Sequence, residues 1–316
     1  MLGIFIKLPL VLLRSLFETL FAVVKRLVPL WLWRKKSVEG DIVLITGAGS
    51  GIGRQIALNF AQERAVLVLW DVDKFGNEET AKLVGQLNAE VYTYTCDVTK
   101  RENVYKLARK VQQEVGPVSI LVNNAGIVSG KYFLDLKDES IIKTMEVNTL
   151  AHFWTIKAFL PDMVRRNHGH IVTISSVVGD GGVAGLSDYS ASKCAVKGMH
   201  DALLREMHVS KSDVKCTVIC PYGVSTGMFD GAQTRFEFLT PFITPEYAGK
   251  KIVQGILTER DVLYVPQDWQ ILVYLKHILP VNAQLVLEDF INANEAMMSF
   301  VGRRPAKKQR KNHHME

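Results

Sequence analysis

The 316-residue sequence predicts an α/β domain built on a doubly wound parallel sheet. Seven short apolar runs alternate with amphipathic stretches of helix length, a glycine-rich turn follows the first run, and the residues that carry chemistry fall where the runs end. No Pro/Gly/Ser-rich tract divides the chain, so one catalytic domain over residues 37–268 is expected, with appended ends at 1–36 and 269–316.

The N-terminal 33 residues are dominated by Leu, Ile, Val, Phe and Trp, interrupted by Lys7, Arg14, Glu18 and Lys25. At 100° per residue those four charges lie within roughly 40° of one another, leaving a very wide apolar face. That pattern predicts a membrane-associated helix lying deep in an interface, with its cationic side chains reaching outward. The uncharged runs are too short for a single span of about 20 apolar residues. A cleaved signal peptide fits poorly, because Arg34-Lys35-Lys36 follows directly and no small-residue cleavage site is present. Trp31 and Trp33 are expected as interfacial anchors, and the basic cluster as the feature that keeps the catalytic domain on the cytosolic side.

Residues 42–45 form the first strand-like run, and the glycine-rich turn after it reads T-G-x-x-x-G-x-G. Glycine removes a β-carbon where backbone turns sharply or approaches a ligand, and a helix opening at Gly51 aims its N–H groups at a pyrophosphate. The cofactor-binding set over this turn is Thr46, Gly47, Ser50, Gly51, Ile52 and Gly53. The second run, residues 65–70, ends in Asp71, 20 residues beyond Gly51, at the spacing of an acid that binds an adenosine ribose. Its carboxylate repels a 2′-phosphate, so NAD is favoured over NADP, although the nearby Arg54 is a cation able to offset part of that repulsion.

The remaining runs are 90–96, 118–123, 170–175, 214–220 and 262–265, with helical stretches such as 101–115 and 140–164 between them. Asp97-Val98 closes the third run, where it could meet an adenine edge; Asn124, Ala125 and Gly126 follow the fourth with small side chains that let backbone approach a cofactor. Structural turns are the competing reading of both.

Ser176 follows the fifth run, and Tyr189 and Lys193 come 13 and 17 residues later. Four residues apart, Tyr189 and Lys193 share one helix face. A phenol with a free pKa of about 10 becomes a usable general base when a nearby ammonium favours its ionised form. Ser176 is placed to hydrogen-bond a substrate oxygen, and Asn148 to hold a water near Lys193 for proton relay. Ser176, Tyr189 and Lys193, with Asn148, are therefore the candidate reacting groups.

TGAGSGIG, NNAG, the serine and YSASK occur in order over residues 41–266, and in them the chain resembles the short-chain dehydrogenase/reductase family. The resemblance implies a seven-stranded Rossmann domain, hydride exchange at the nicotinamide C4, a catalytic tetrad of Asn148, Ser176, Tyr189 and Lys193, cofactor contacts of Tyr189 and of Lys193 with nicotinamide ribose hydroxyls, and a contact of Thr226 with the carboxamide side. It also implies homodimerisation through the helix after Tyr189. The usual P-G after the sixth strand is replaced by Pro221-Tyr222-Gly223, which leaves the local backbone path open. Within the family, SVEGDIVLITGAGSGIGR, LVLWDVDK and RNHGHIVTISS are similar to the membrane-associated branch of retinol dehydrogenases and 17β-hydroxysteroid dehydrogenases 11/13. That similarity implies an enzyme of the endoplasmic reticulum or lipid droplet that takes a lipophilic alcohol.

Met228, Phe229, Phe236, Phe238, Leu239 and Phe242 read as an aromatic lid over an elongated apolar substrate, with Met228 and Phe229, beside Ser176 and Tyr189, as substrate contacts; ordinary packing competes with this reading. Trp269 and the ten residues after it add an apolar patch, either a second membrane contact or core. The formal net charge of +6 is concentrated partly at Arg34-Lys35-Lys36 and over 303–311, which suits an anionic membrane surface rather than nucleic acid. Cys96, Cys194, Cys216 and Cys220 lack metal-ligand spacing, so no metal is expected. The expected activity is NAD-dependent oxidation of an all-trans-retinol-like alcohol. The alternatives are a 17β-hydroxysteroid or other lipid alcohol, and a membrane scaffold with a vestigial cofactor site.

Overall fold

The computed structural model describes residues 2–28, 30–233, 235–236 and 241–302. Phe238, Leu239 and the basic stretch 303–311 lie outside the described residues, as do the side chains of Lys25 and Trp31. The chain runs through α1 (Leu2–Leu27), β1 (Ile42–Thr46), α2 (Gly51–Gln62), β2 (Val66–Asp71), α3 (Lys74–Gly85), β3 (Val91–Thr95) and α4 (Arg101–Glu114). It continues through β4 (Ile120–Asn123), α5 (Asp138–Met145), α6 (Ala151–Arg166), β5 (His170–Ile174), α7 (Ser187–Val209) and β6 (Lys215–Pro221). The last elements are α8 (Pro245–Leu257), β7 (Val262–Val265), α9 (Trp269–Ile278) and α10 (Val281–Phe290).

All seven strands are parallel, in the order β3-β2-β1-β4-β5-β6-β7. The winding reverses between β1 and β4, and in such sheets the crevice beyond the carboxyl ends at that point is where ligands bind. Ile42, Val43, Leu44 and Ile45 are buried on both sides of the sheet, which is why β1 is a continuous apolar run rather than an alternating one. One face packs Ile56 and Phe60 of α2, Val84 of α3 and Ile252 and Ile256 of α8; the other packs Val104 of α4, Phe159 and Met163 of α6 and Leu203 of α7. Each fully buried Leu or Ile contributes about 1.5–3 kcal/mol. The edge strand β3 keeps an exposed side, whereas β7 is covered by α9.

Local chemistry sets the helix ends. Thr244 accepts a hydrogen bond from the Tyr247 amide at 3.2 Å with Pro245 at the first helical position, and Asp73 accepts from the Gly76 amide at 3.3 Å. α6 stops at Asn167, which takes the left-handed conformation at φ 48°. The single helical stretch expected over 140–164 is interrupted: α5 and α6 are joined by a π-helical turn at Glu146–Leu150. The extra residue of such a turn re-aims the side chains within it.

α1 forms over the predicted apolar segment, and Leu13, Leu16, Phe17 and Leu20 are each more than half exposed along it. Among the described residues no helix is long and apolar enough to cross a membrane. Residues 30–40 pack on the body: Leu30 is buried, the Lys36 amide donates to the Leu257 carbonyl at 2.8 Å, and Lys36 Nζ lies 2.9 Å from His170 Nδ1. Trp33, expected as an interfacial anchor, lies under the Arg260 guanidinium at 4.9 Å and edge-on to Phe21. Its ring is therefore part of the protein's own packing.

Candidate active site

A cavity of about 720 Å³ opens at the carboxyl ends of the strands, where β1 and β4 diverge. Its dinucleotide half is shaped by missing β-carbons. A Cβ at Gly53 would lie 2.1 Å from the Gly47 carbonyl oxygen, and one at Gly47, whose φ is +67°, would lie 2.9 Å from Ala125 Cα. Only glycine allows the turn, helix α2 and the β4 loop to meet this closely. Gly47, Ser50, Gly51, Ile52 and Gly53 all line the cavity. Thr46 stands behind the wall: its hydroxyl accepts from the Asn124 and Ala125 amides at 3.0 and 3.1 Å, latching the two strand ends together. Asn124 completes the latch by donating to the Thr46 and Gly47 carbonyls at 2.9 and 3.1 Å.

Asp71 faces the cavity with its carboxylate oriented by the Gly49 amide at 2.7 Å and the Asp73 amide at 2.8 Å. Arg54 is turned away from it into other bonds. Its guanidinium donates to Glu79 at 2.6 Å, to the Gly49 carbonyl at 2.7 Å and to the Thr80 hydroxyl at 3.0 Å. The cation that might have softened Asp71's discrimination is thus neutralised by its own partner, and the pocket fits a ribose diol better than a phosphate. Asp97 and Val98 line the far end. Burial pushes the Asp97 carboxyl up, but hydrogen bonds from the Thr99 hydroxyl and amide outweigh it and hold the carboxyl below its ordinary range.

Ala125, Gly126, Ser176, Tyr189, Lys193 and Thr226 line the reacting half. Tyr189 and Lys193 lie on one face of α7, with Lys193 Nζ 5.5 Å from the centre of the Tyr189 ring. The ammonium donates to the Ile174 carbonyl at 2.9 Å. A Cβ at Gly126 would fall 3.7 Å from Lys193 Nζ and 3.5 Å from Asn148 Oδ1, so the β4 loop passes directly over both. The Ser176 hydroxyl is 3.4 Å from the Pro221 carbonyl and acts on the Tyr189 phenol through a hydrogen bond.

The electrostatics depart from the expectation that the amine lowers the phenol. Burial pushes Tyr189 above its ordinary value, against a smaller lowering by Ser176. Burial also brings Lys193 down to about 8. In a dry site neither the phenolate nor the ammonium is well solvated, so each resists its charged form.

Asn148, in the π-helical turn, is fully buried and does not line the cavity. Its Oδ1 accepts from the Ile127 amide at 2.8 Å, and its Nδ2 donates to the Ile127 carbonyl at 2.9 Å and to Ser192 Oγ at 3.0 Å. Both Nδ2 protons and one of the two Oδ1 lone pairs are engaged in this way, so the side chain fixes the β4 loop to α7.

Several contributors have no motif. Asp188 accepts from Ser129 and Thr144 hydroxyls at 2.6 and 2.8 Å and from the Tyr189 amide at 2.8 Å, fixing the start of α7. Ser192 and Ser175 tie α7 to α5/α6 and to β5. Tyr222, the departure after β6, keeps the strand register by donating its amide to the Val265 carbonyl at 2.9 Å and stacks on Trp269 at 3.9 Å. Thr226 then returns over the glycine turn, 3.2 Å from where a Gly51 Cβ would stand.

Of the expected lid, Met228, Phe229 and Phe242 line the cavity, and Phe229 meets Tyr189 edge-on at 5.9 Å. Phe236 packs instead on Phe290 at 5.3 Å. The rest of the roof comes from the C-terminal extension, where Ile291, Ala293, Ala296 and Met297 line the cavity. Cys96, Cys216 and Cys220 are buried thiols pushed up to about 12, and among the described residues no group of His, Cys, Asp and Glu could hold a metal.

A parallel doubly wound sheet with a glycine cradle, a ribose-facing carboxylate and a Ser-Tyr-Lys cluster in one cleft defines a dinucleotide-dependent oxidoreductase. The chain belongs to the short chain dehydrogenase family, which matches residues 41–235. It is 48% identical to human epidermal retinol dehydrogenase 2 over 91% of this chain and 93% of that protein. It is 46% identical to human retinol dehydrogenase 10 over 87% of this chain and 89% of that one. Among solved structures, a short chain dehydrogenase/reductase from Burkholderia phymatum in complex with NAD superposes with a TM-score of 0.70 at 26% identity, over 77% of this chain and 94% of its own. A metagenomic short-chain oxidoreductase in complex with NADP gives 0.60 at 25% identity, over 72% and 94%.

Proposed function

We propose that this enzyme oxidises a lipophilic alcohol with NAD, all-trans-retinol to all-trans-retinal being the reaction best supported. The observation that carries the reading is the meeting of Ser176, Tyr189 and Lys193 at the inner end of a cavity whose other end presents Asp71 and whose roof is apolar. The names of the two human relatives supply retinol as the substrate to test first. NAD supplies a hydride acceptor at its nicotinamide C4. Ser176 orients the alcohol oxygen; Tyr189 takes the hydroxyl proton as the carbinol C–H bond is broken and passes its own phenol proton to the neutral Lys193 amine, which would also hold the nicotinamide ribose. Asp71 selects the cofactor.

We infer in addition that α1 lies in the cytosolic face of an endoplasmic reticulum or lipid-droplet membrane, supported by its exposed Leu, Val and Phe side chains between Leu8 and Val24. Ile271, Leu272, Leu275 and Ile278 of α9 are likewise more than half exposed, which supports a second membrane contact there rather than core. A substrate dissolved in lipid then reaches the cavity without crossing water.

Full-length enzyme in microsomes, given NAD and all-trans-retinol, is expected to form retinal and NADH faster than with NADP. Oxidation of 17β-hydroxysteroids with retinol untouched would replace retinol by a steroid. Absence of NADH with every alcohol in a lipid-alcohol panel would leave the scaffold reading.

A further inference from the structure

The cavity roof is a composite of two chain segments far apart in sequence. Residues 293–302, after α10, are joined to the loop after β6 by backbone hydrogen bonds: the Gln233 amide donates to Ala296, and the Val301 and Gly302 amides both donate to Asp230, at 3.0, 2.8 and 3.1 Å. Ser299 Oγ adds a bond to the Gly231 carbonyl at 2.6 Å. The segment is socketed on glycines that tolerate no β-carbon. A Cβ at Gly130 would enter the Phe300 ring at 2.1 Å, and one at Gly185 would lie 3.0 Å from Met297 Cβ; both glycines have positive φ. Met297 is buried in one cluster with Leu186 and Tyr189, with Val183 and Phe229 packed against it.

We propose that Met297 is a specificity-determining residue, closing a collar around the Tyr189 phenol that admits a carbinol carbon with one carbon substituent and excludes one with two. This deepens the reading above and rests on it. Met297, Leu186 and Phe229 line the cavity beside Tyr189 and pack in one cluster with it, and the dinucleotide shares the same cavity of about 720 Å³. A primary alcohol enters such a collar end-on. A secondary alcohol places a second carbon against Met297, and in a close-packed wall the displaced volume has to be made by shifting side chains out of their rotamers. One methylene in an apolar pocket discriminates about 10- to 200-fold. Methionine suits the position because its unbranched chain fills an irregular gap.

The test uses full-length enzyme with NAD and two long-chain apolar alcohols that differ only by a methyl on the carbinol carbon, so neither retinol nor a steroid is assumed. Wild type is expected to prefer the primary alcohol. In Met297→Ala the ratio of kcat/KM for the secondary over the primary alcohol should rise at least about tenfold, and in Met297→Leu, which conserves volume, it should stay within about threefold of wild type. A ratio unchanged in Met297→Ala, with both alcohols still oxidised by wild type, overturns the inference and leaves the alcohol dehydrogenase reading standing. Wild type that oxidises neither alcohol nor any other lipid alcohol overturns both. Should Met297→Ala fail to fold, Leu186→Ala, in the same cluster around Tyr189, carries the same expectation and the same refutation.

Discussion

Lys193 Nζ donates to the Ile174 carbonyl at 2.9 Å while standing 5.5 Å from the centre of the Tyr189 ring. The amine is thereby held at the phenol without a carboxylate beside it, and burial lowers it to about 8 while raising Tyr189. Loss of the Lys193 proton leaves a neutral amine that can take the phenol proton as the Tyr189 oxygen takes the substrate's, which is the base that alcohol oxidation needs. kcat/KM for oxidation should therefore rise with pH through about 8 and level off above it, and carbonyl reduction should fall over the same range. Steady-state profiles in both directions check this; an oxidation rate flat from pH 6.5 to 9.5 would contradict it.

The same burial links folding to pH. Lys193 has a lower pKa folded than unfolded, so between about 8 and 10.5 the unfolded chain binds more protons and stability due to this group rises with pH. Tyr189, raised when folded, opposes this only above about 10. Lys193→Met should lose the dependence: the variant's stability relative to wild type should decline by up to about 3 kcal/mol between pH 7.5 and pH 10. Urea unfolding at the two pH values measures the difference.

Asp71 is aimed by the Gly49 amide, and Arg54 is occupied by Glu79. Asp71→Asn keeps the shape and removes the charge that repels a 2′-phosphate. The kcat/KM ratio of NAD over NADP should fall about ten- to hundredfold, from a charge pair at close range under partial screening. An unchanged ratio would assign cofactor choice elsewhere.

Asn148 gives both ends of its amide to Ile127 and reaches Ser192 as well. Removing it leaves buried groups unpaired, at about 1–3 kcal/mol, and releases the loop that carries Gly126 over Lys193. Asn148→Ala should lower kcat more than it raises KM for the alcohol, with a melting temperature lower by several degrees. Calorimetry and initial rates on one preparation separate the two effects.

Much of the site was legible because its chemistry depends on local spacing. The glycines, Asp71 and the Tyr189/Lys193 pair each work within one turn or one strand-to-helix unit, so their offsets survive in sequence. Asn148 and Ser192 are 44 residues apart, and their contact depends on a π-helical turn that leaves no periodic signal. The roof was less legible still. Met297 joins the Tyr189 cluster only because α9 and α10 carry the chain back over the cleft, and the glycines that make room for its segment, Gly130 and Gly185, carry no spacing signal of their own. The Tyr189 phenol is raised rather than lowered because desolvation, which leaves no mark in residue spacing, is the largest influence on both Tyr189 and Lys193.

The central claim is that the Tyr189 oxygen takes the substrate proton, and replacing Tyr189 by Phe removes that oxygen while keeping the ring that packs on Phe229. With NAD and all-trans-retinol, single-turnover formation of NADH should slow at least about a hundredfold in Tyr189→Phe while NADH still binds. Turnover equal to wild type in that variant would contradict the account.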